Sequence, residues 1–398
     1  MKLSQRLHGL EESITLAITA KAKALKAEGK DIISFGAGEP DFDTPEHIKE
    51  AAIKAIRDGH TKYTPVGGIN ELKDAVIEKF GQDNSLEYSR DEIIVSCGGK
   101  HSIYNLFQSI LDPGDEVIIP SPYWVSYPVM AVMAGGVPRI IHTTEKSGFK
   151  ITPEELSAHI TKKTKAVVIN SPSNPTGAAY TKKELLRIAE AAIKKGILIV
   201  SDEIYERLVY DGFEQSSIAS IADEVKRNTV VLNGVSKSYA MTGWRIGFAA
   251  GPKEIIKAMT NIQSQSTSNP ASISQWAAVE ALKTEDGMIA KMVKEFEKRR
   301  NVMVMGLNAL DGISAFRPLG AFYVFANIEK ALGRSYKGKG IRGSADLAIH
   351  LLDEAGVAVV PGEPFGDDNH IRLSYATSLE HIKEGLKRIG KAIGELDG

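Results

Sequence analysis

The sequence predicts an α/β protein. Its large domain is expected to be a mostly parallel sheet with helices on both faces, a three-layer αβα arrangement, and a smaller α/β domain accompanies it. Three observations carry that expectation. Short apolar runs of strand composition recur between residues 92 and 249, and helical segments alternate with several of them. The runs are of the buried type, Ile93-Ile94-Val95 among them, as strands covered on both faces are. At 398 residues the chain is also too long for one small core.

In chain order, residues 1–30 read as an arm and an amphipathic helix (13–26) able to pack on a partner chain. Ile32-Ile33-Ser34-Phe35 is a short strand. Residues 36–42 form a turn-rich loop that lacks both the third glycine and the following helix of a dinucleotide fingerprint. A helix is expected over 45–57, with Thr44 as its cap and Pro45 at the first position. An exposed loop at 63–68 precedes a helix at 69–80. Strands follow at 93–95, 116–119, 166–169, 197–200, 229–232 and 246–249, with helices running to residue 111 and over 182–195. A long helical region at 272–310 leads into the second domain. That domain holds residues 317–327, a Gly/Lys-rich loop near 335–343 read as mobile surface, and a strand–loop–strand at 357–375. The run Lys298-Arg299-Arg300 reads as a solvated helix face.

The bulk composition excludes several function classes. Lys and Arg number 49 against 50 Asp and Glu, so no global field favours nucleic acid or an anionic membrane. A content of 43% hydrophobic and 25% charged residues is that of a soluble globular protein. The single cysteine, Cys97, cannot form an intramolecular disulfide and fits a reducing compartment. The apolar patch at 14–18 follows Glu11 and Glu12 and is too short for a signal peptide or a span, so a cytoplasmic location is expected.

The unusual residues fall just past strand ends, where open parallel sheets bind ligands. Lys237, between two serines after an apolar run, suits a nucleophilic amine kept partly uncharged by a semi-enclosed site. Arg245 is close enough in sequence to lower that amine's pKa and to hold an anion such as phosphate. Gly98-Gly99-Lys100 at a strand–helix junction is either a plain turn or an anion cradle. Asp202 is a backbone-bonded carboxylate or the partner of a protonated ring nitrogen, and Tyr205 three residues on shares its pocket. Trp124 is core or a stacking surface, and Asn174 a turn residue or a donor. Together these residues make the inventory of a pyridoxal-phosphate site.

The chain resembles the fold-type I, class I pyridoxal-phosphate aminotransferases over nearly its whole length, through GEPDF (38–42), KYTPVGG (62–68), SPYWVSYP (121–128), NSPSNPTG (170–177), SDEIYE (201–206), SKSYAMTGWR (236–245) and HIRLSYA (370–376). Within the family it is most similar to the bacterial and archaeal aspartate aminotransferase branch. The resemblance implies an N-terminal arm and part of the small domain at 1–46, a large cofactor domain at 47–289 and a small domain at 290–398. It implies that Lys237 carries pyridoxal 5'-phosphate covalently and moves the substrate α-proton, and that Asp202 keeps the ring nitrogen protonated. Asn174 and Tyr205 would bind the ring oxygen, and Trp124 would stack on the ring. The phosphate would be held by the backbone of Gly99 and Lys100, by Arg245 and by Tyr63 of the other subunit of a homodimer. Arg372 would clamp the substrate α-carboxylate beside the backbone of Gly38. Gly234 stands where many relatives have a phosphate-binding serine, which leaves Ser236 as a weak substitute. No metal is implied.

Lys100 matches the position that binds the distal carboxylate in the aspartate branch, and this implies transamination between L-aspartate and 2-oxoglutarate. Prephenate-using relatives carry a basic residue near Glu11 and Glu12, where this chain is acidic, so prephenate is disfavoured. The alternatives are another amino donor (aromatic, alanine or arogenate) and a C–S β-lyase, which Lys100 in the pocket would disfavour. A cofactor-binding regulator would need a DNA-binding segment or a basic balance, and a nicotinamide dehydrogenase would need the glycine fingerprint.

Overall fold

The structure is a computed structural model and describes residues 14–284 and 287–397. A two-residue strand, β1 (Ile33–Ser34), precedes the main sheet strands. These are β2 (Ile93–Ser96), β3 (Glu116–Ser121), β4 (Val137–His142), β5 (Thr164–Asn170), β6 (Leu198–Asp202), β7 (Thr229–Gly234) and β8 (Gly247–Ala250). They lie side by side in the order β2-β8-β7-β6-β5-β3-β4. Successive residues of a strand point to opposite faces. Val117 and Ile119 join one apolar cluster while Ile118 joins another, and β5 divides in the same way between Val168 and Val167. Both faces are therefore buried, which is why these strands are apolar throughout.

The sheet is parallel except for β8, which runs antiparallel to both β7 and β2. The connection from β7 to β8, residues 235–246, contains only a short 3-10 turn and no crossover helix. A chain that must come straight back can add only an antiparallel strand. The edge strand β4 has no counterpart in the sequence reading. Its Pro138 and Arg139 break the buried-strand pattern, and edge strands tolerate both residue types.

The remaining strands are β9 (Ser314–Ala315), β10 (Tyr323–Asn327), the hairpin β11 (Ser335–Tyr336) and β12 (Lys339–Gly340), β13 (Val357–Ala358), β14 (Val360–Pro361) and β15 (His370–Ser374). An antiparallel sheet runs β14-β15-β10-β9, and β1 pairs in parallel with β13. Ile33 and Phe35 consequently share a core with Leu307, Leu351, Ile382 and Ile389 from helices Met288–Asn308, Ser344–Ala355 and Leu379–Gly394. No described helix is long and apolar enough to cross a membrane.

Several local expectations are corrected. Thr44 does not cap the helix Glu46–Arg57, whose N-cap is Pro45. Thr44 Oγ1 instead donates to Ala240 O (2.7 Å) and accepts from Trp244 Nε1 (2.9 Å), fastening this loop to the segment that carries Lys237. The long helical region is two helices, Ser272–Lys283 and Met288–Asn308. The Gly/Lys loop is a paired hairpin, bridged to Asp397 through Ser335. Of the basic run, Lys298 is solvated as expected, but the two arginines are not. Arg300 is 0% exposed, lies 2.8 Å from Asp211 and stacks on Tyr210. Arg299 is buried and bonds both Asp41 oxygens at 2.7 and 2.9 Å.

Deleting a large, fully buried side chain leaves a cavity and unmet hydrogen bonds, whereas an exposed ion pair contributes little. Urea unfolding should therefore show Arg300→Ala destabilised by about 2–5 kcal/mol, the cost of emptying its buried site, while Asp211 keeps Arg317. Arg317→Ala removes the half-exposed second partner of Asp211 and should cost under about 1 kcal/mol. Equal costs would refute the buried role of Arg300.

Candidate active site

The C-terminal ends of β5, β6 and β7 open into a cleft of about 710 Å³, closed on its other side by residues 36–39, Phe365 and Arg372. The structure brings Gly38, Gly99, Lys100, Trp124, Asn174, Asp202, Tyr205, Ser236, Lys237, Arg245 and Arg372 together along its wall. Tyr63 is not there. It is 93% exposed and lies outside the cleft of its own chain.

Lys237 follows β7 on a turn, half-buried, with Nζ donating to Gly38 O at 2.5 Å. Burial lowers its pKa to about 8. Glu39 opposes that shift, while Arg372 and then Arg245 reinforce it. Arg245 thus acts on the amine as expected, but desolvation is the larger cause.

Asp202 ends β6 and is buried. Its Oδ2 accepts from Tyr127 OH (2.5 Å) and its Oδ1 from the Ile204 amide (3.2 Å). Burial raises its pKa against the opposing pull of these hydrogen bonds and of Lys237. A buried carboxylate of this kind is suited to a cation placed beside it. Asn174 Oδ1 accepts from Arg372 Nη1 (3.0 Å), which leaves its amide NH2 group free to donate. Tyr205 OH is 2.9 Å from Tyr323 OH. Burial, then proximity to Tyr323, raises the Tyr205 pKa well above its ordinary value and keeps it a hydroxyl.

At the other end of the cleft, Gly98 opens the helix Gly99–Ile110 at φ +90°. A Cβ at Gly98 would lie 2.4 Å from Arg245 Nη2, so only glycine lets the guanidinium lie against this turn. The amides of Gly99 and Lys100, in the first turn, make no hydrogen bond among the described residues. Free amides and a guanidinium at a helix N-terminus form an anion seat. Gly234 has its own steric cause, because a Cβ there would approach Gly247 Cα and Ile246 O at 3.0 Å. Ser236 is buried and lines the cleft.

Arg372 is 5% exposed and, among the described residues, meets no carboxylate. Its Nη2 donates to Gly36 O (3.2 Å), its Nε has no partner, and its guanidinium lies 4.5 and 5.0 Å from the Tyr323 and Phe365 rings. Lys100 Nζ lies 5.1 Å from the Trp124 ring. Burial, then Arg245, lowers the Lys100 pKa.

These observations meet the needs of pyridoxal phosphate. They comprise an anion seat, a buried carboxylate awaiting a cation, a free amide donor at Asn174, the Tyr205 hydroxyl, the Trp124 face and a depressed-pKa amine. Sequence reasoning missed Tyr127, Tyr323, Phe365 and the Glu39–Thr242 contact (2.7 Å). Tyr127 was accessible, since it lies three residues after Trp124 and its ring packs edge-on at 5.3 Å. Tyr323 and Phe365 look like ordinary core residues and gave no signal.

Residues 30–389 match the family described as aminotransferase class I and II. The chain is 53% identical over 389 residues to an aspartate aminotransferase of Geobacillus stearothermophilus, covering 98% of each. It is 52% identical to a probable aspartate/prephenate aminotransferase of Rickettsia bellii, covering 99% of each. Among solved structures, the aspartate aminotransferase from Rhizobium meliloti superposes with a TM-score of 0.96 at 46% identity, with all of both chains covered.

The pKa of Lys237 predicts how the cofactor-free protein captures pyridoxal phosphate. A lowered amine pKa means the neutral, nucleophilic form dominates above about pH 8, so the capture rate should rise with pH through a midpoint near 8. Visible absorbance of the loaded protein reads that rate, and Lys237→Ala should abolish covalent retention. A midpoint near the ordinary 10.5 would contradict the site's electrostatics.

Proposed function

The chain belongs to the class I and II aminotransferases, which are pyridoxal-phosphate-dependent transferases, and we propose that it catalyses reversible transamination between L-aspartate and 2-oxoglutarate. The observation that carries this reading is the presence of several cations in one cleft. Arg372 lines the cleft without a carboxylate partner among the described residues, Lys100 reaches over Trp124, and the Lys237 amine shares the cleft with both. Two carboxylates of one substrate are matched by two cations outside the phosphate seat. Relatives named aspartate aminotransferase, at 53% and 51% identity, support the same reading.

When bound, pyridoxal phosphate supplies the aldehyde and electron-withdrawing ring that accept the amino group. In our assignment Lys237 tethers it and, once its amine is freed, moves the proton at the substrate α-carbon. Asp202, oriented by Tyr127, keeps the ring nitrogen protonated. Asn174 and Tyr205 donate to the ring oxygen, and Trp124 covers the ring. The backbone amides of Gly99 and Lys100, with Ser236 and Arg245, would hold the phosphate. Arg372 takes the α-carboxylate beside Gly38, and the Lys100 ammonium takes the distal one.

We further assign a homodimer in which Tyr63 completes the partner's phosphate seat, which accounts for an almost wholly exposed tyrosine next to a turn. Exposed Ile53 and Ile56 on a neighbouring helix support such a contact. Residues 47–289 form the large domain and 290–398 the small one, joined by part of 1–46, in keeping with the shared core around Ile33 and Phe35. The unpaired Cys97 supports a cytoplasmic location. Prephenate is disfavoured by Glu11 and Glu12, which lie outside the described residues.

A half-reaction panel tests the substrate assignment. Holoenzyme is mixed with aspartate, glutamate, alanine, phenylalanine or arogenate, and bleaching of the cofactor band is followed. Aspartate and glutamate should react fastest. Lys100→Ala removes a charge-assisted hydrogen bond worth about 1.5–3 kcal/mol, and so should slow both by roughly 10- to 150-fold while sparing alanine. A lead by an aromatic or aliphatic donor, with Lys100→Ala silent, would overturn the assignment. Pyruvate release from cystathionine would indicate a lyase.

A further inference from the structure

The cleft wall carries six basic residues, Lys23, Lys26, Lys100, Lys237, Arg245 and Arg372, against two acids, Glu39 and Asp202. Basic and acidic residues nearly balance over the whole chain, 49 against 50, so the excess is local. Four of the six have roles above; Lys23 and Lys26 have none. They lie three positions apart on the helix Ile14–Ala27 and so share one of its faces. Lys21 on the same helix is fastened to Asp353 at 2.7 Å. Among the described residues, Lys23 and Lys26 form no ion pair with an acid, and nearby Asp31 is taken by Arg388. The helix is thus anchored by one lysine and presents two unpaired ones to the cleft.

We propose that Lys23 and Lys26 are specificity-determining residues that select incoming substrates by net charge; the inference rests on the dicarboxylate reading above. Charged clefts raise the local concentration and arrival rate of counter-charged ligands. The effect scales with ligand charge. 2-Oxoglutarate is a dianion, aspartate a net monoanion because its ammonium offsets one carboxylate, and alanine has no net charge. The lysines therefore act most strongly on the oxo-acid half of the ping-pong cycle. That half needs the help most, because the oxo acid has no amino group to hold it while its carboxylates find Arg372 and Lys100.

The test uses holoenzyme: wild type, the double variant Lys23→Ala/Lys26→Ala, and the charge-conserving Lys23→Arg/Lys26→Arg. For each, kcat/KM is measured for 2-oxoglutarate, aspartate and alanine at low and high salt. At low salt the alanine double variant should lose about tenfold for 2-oxoglutarate, about threefold for aspartate and nothing for alanine. The arginine variant should match wild type. In ~0.5 M salt, where screening shortens to a few ångströms, the differences should collapse. Equal losses for all three substrates, or losses insensitive to salt, would mean that the lysines only support the helix and would overturn the inference. An unchanged double variant in an enzyme that favours dicarboxylates would overturn this inference alone. A wild type that does not favour them over alanine would overturn the substrate reading and this inference with it.

Discussion

A permanent positive charge is held inside this protein with only neutral partners. The Arg372 guanidinium cannot shed its proton at ordinary pH, yet its hydrogen bonds go to a backbone carbonyl, at Gly36, and an amide oxygen, at Asn174. Burying an ion without a counter-ion is costly. The fold meets that cost partly by sandwiching the guanidinium between Tyr323 and Phe365, whose ring faces attract cations. The rest is left for a carboxylate entering the cleft that Arg372 lines. Three distant segments must meet to build this arrangement: the loop after β1, the turn after β5, and β15, which positions Arg372 opposite Phe325 on one side and Val360 on the other. The site is therefore a product of tertiary structure, and the substrate completes its electrostatics.

The loop at 36–44 ties the two halves together. Gly36 O accepts from Arg372, Gly38 O from Lys237, Glu39 from Thr242, Asp41 from Arg299, and Thr44 joins Ala240 and Trp244. One short segment thus contacts Arg372, the Lys237 amine, the turn bearing Arg245 and the helix Met288–Asn308. Arg299 explains how a glycine-containing loop stays in register, because a bidentate arginine–carboxylate pair fixes orientation as well as distance.

The parts legible in the sequence were those with a local cause. The sheet strands were visible because burial on both faces demands continuous apolar residues. The reactive residues were visible because glycines, prolines and asparagines mark strand ends. Features with a non-local cause were misread. β8 was placed, but its reversed direction depends on the shortness of the connection from β7. Arg299 and Arg300 are charged and helical, and their burial depends on Asp41 and Asp211 arriving from 258 and 89 residues away. Thr44 and Pro45 satisfy every local rule for a helix start, yet the threonine hydroxyl is taken by Ala240 and Trp244. Tyr323 and Phe365 became part of the site only when Arg372 was laid between them.

Equilibrium binding of succinate, a dicarboxylate that cannot undergo transamination, bears most directly on the claim that Arg372 is a buried cation awaiting a carboxylate. Calorimetry on holoenzyme would compare wild type with Arg372→Gln, which retains a hydrogen-bonding side chain without the charge. The account predicts that wild type binds succinate and that the variant loses at least about 100-fold in affinity with the cofactor still bound, the loss expected for a buried charge-assisted pair. Equal affinities would show that the substrate's charge is satisfied elsewhere and would contradict it.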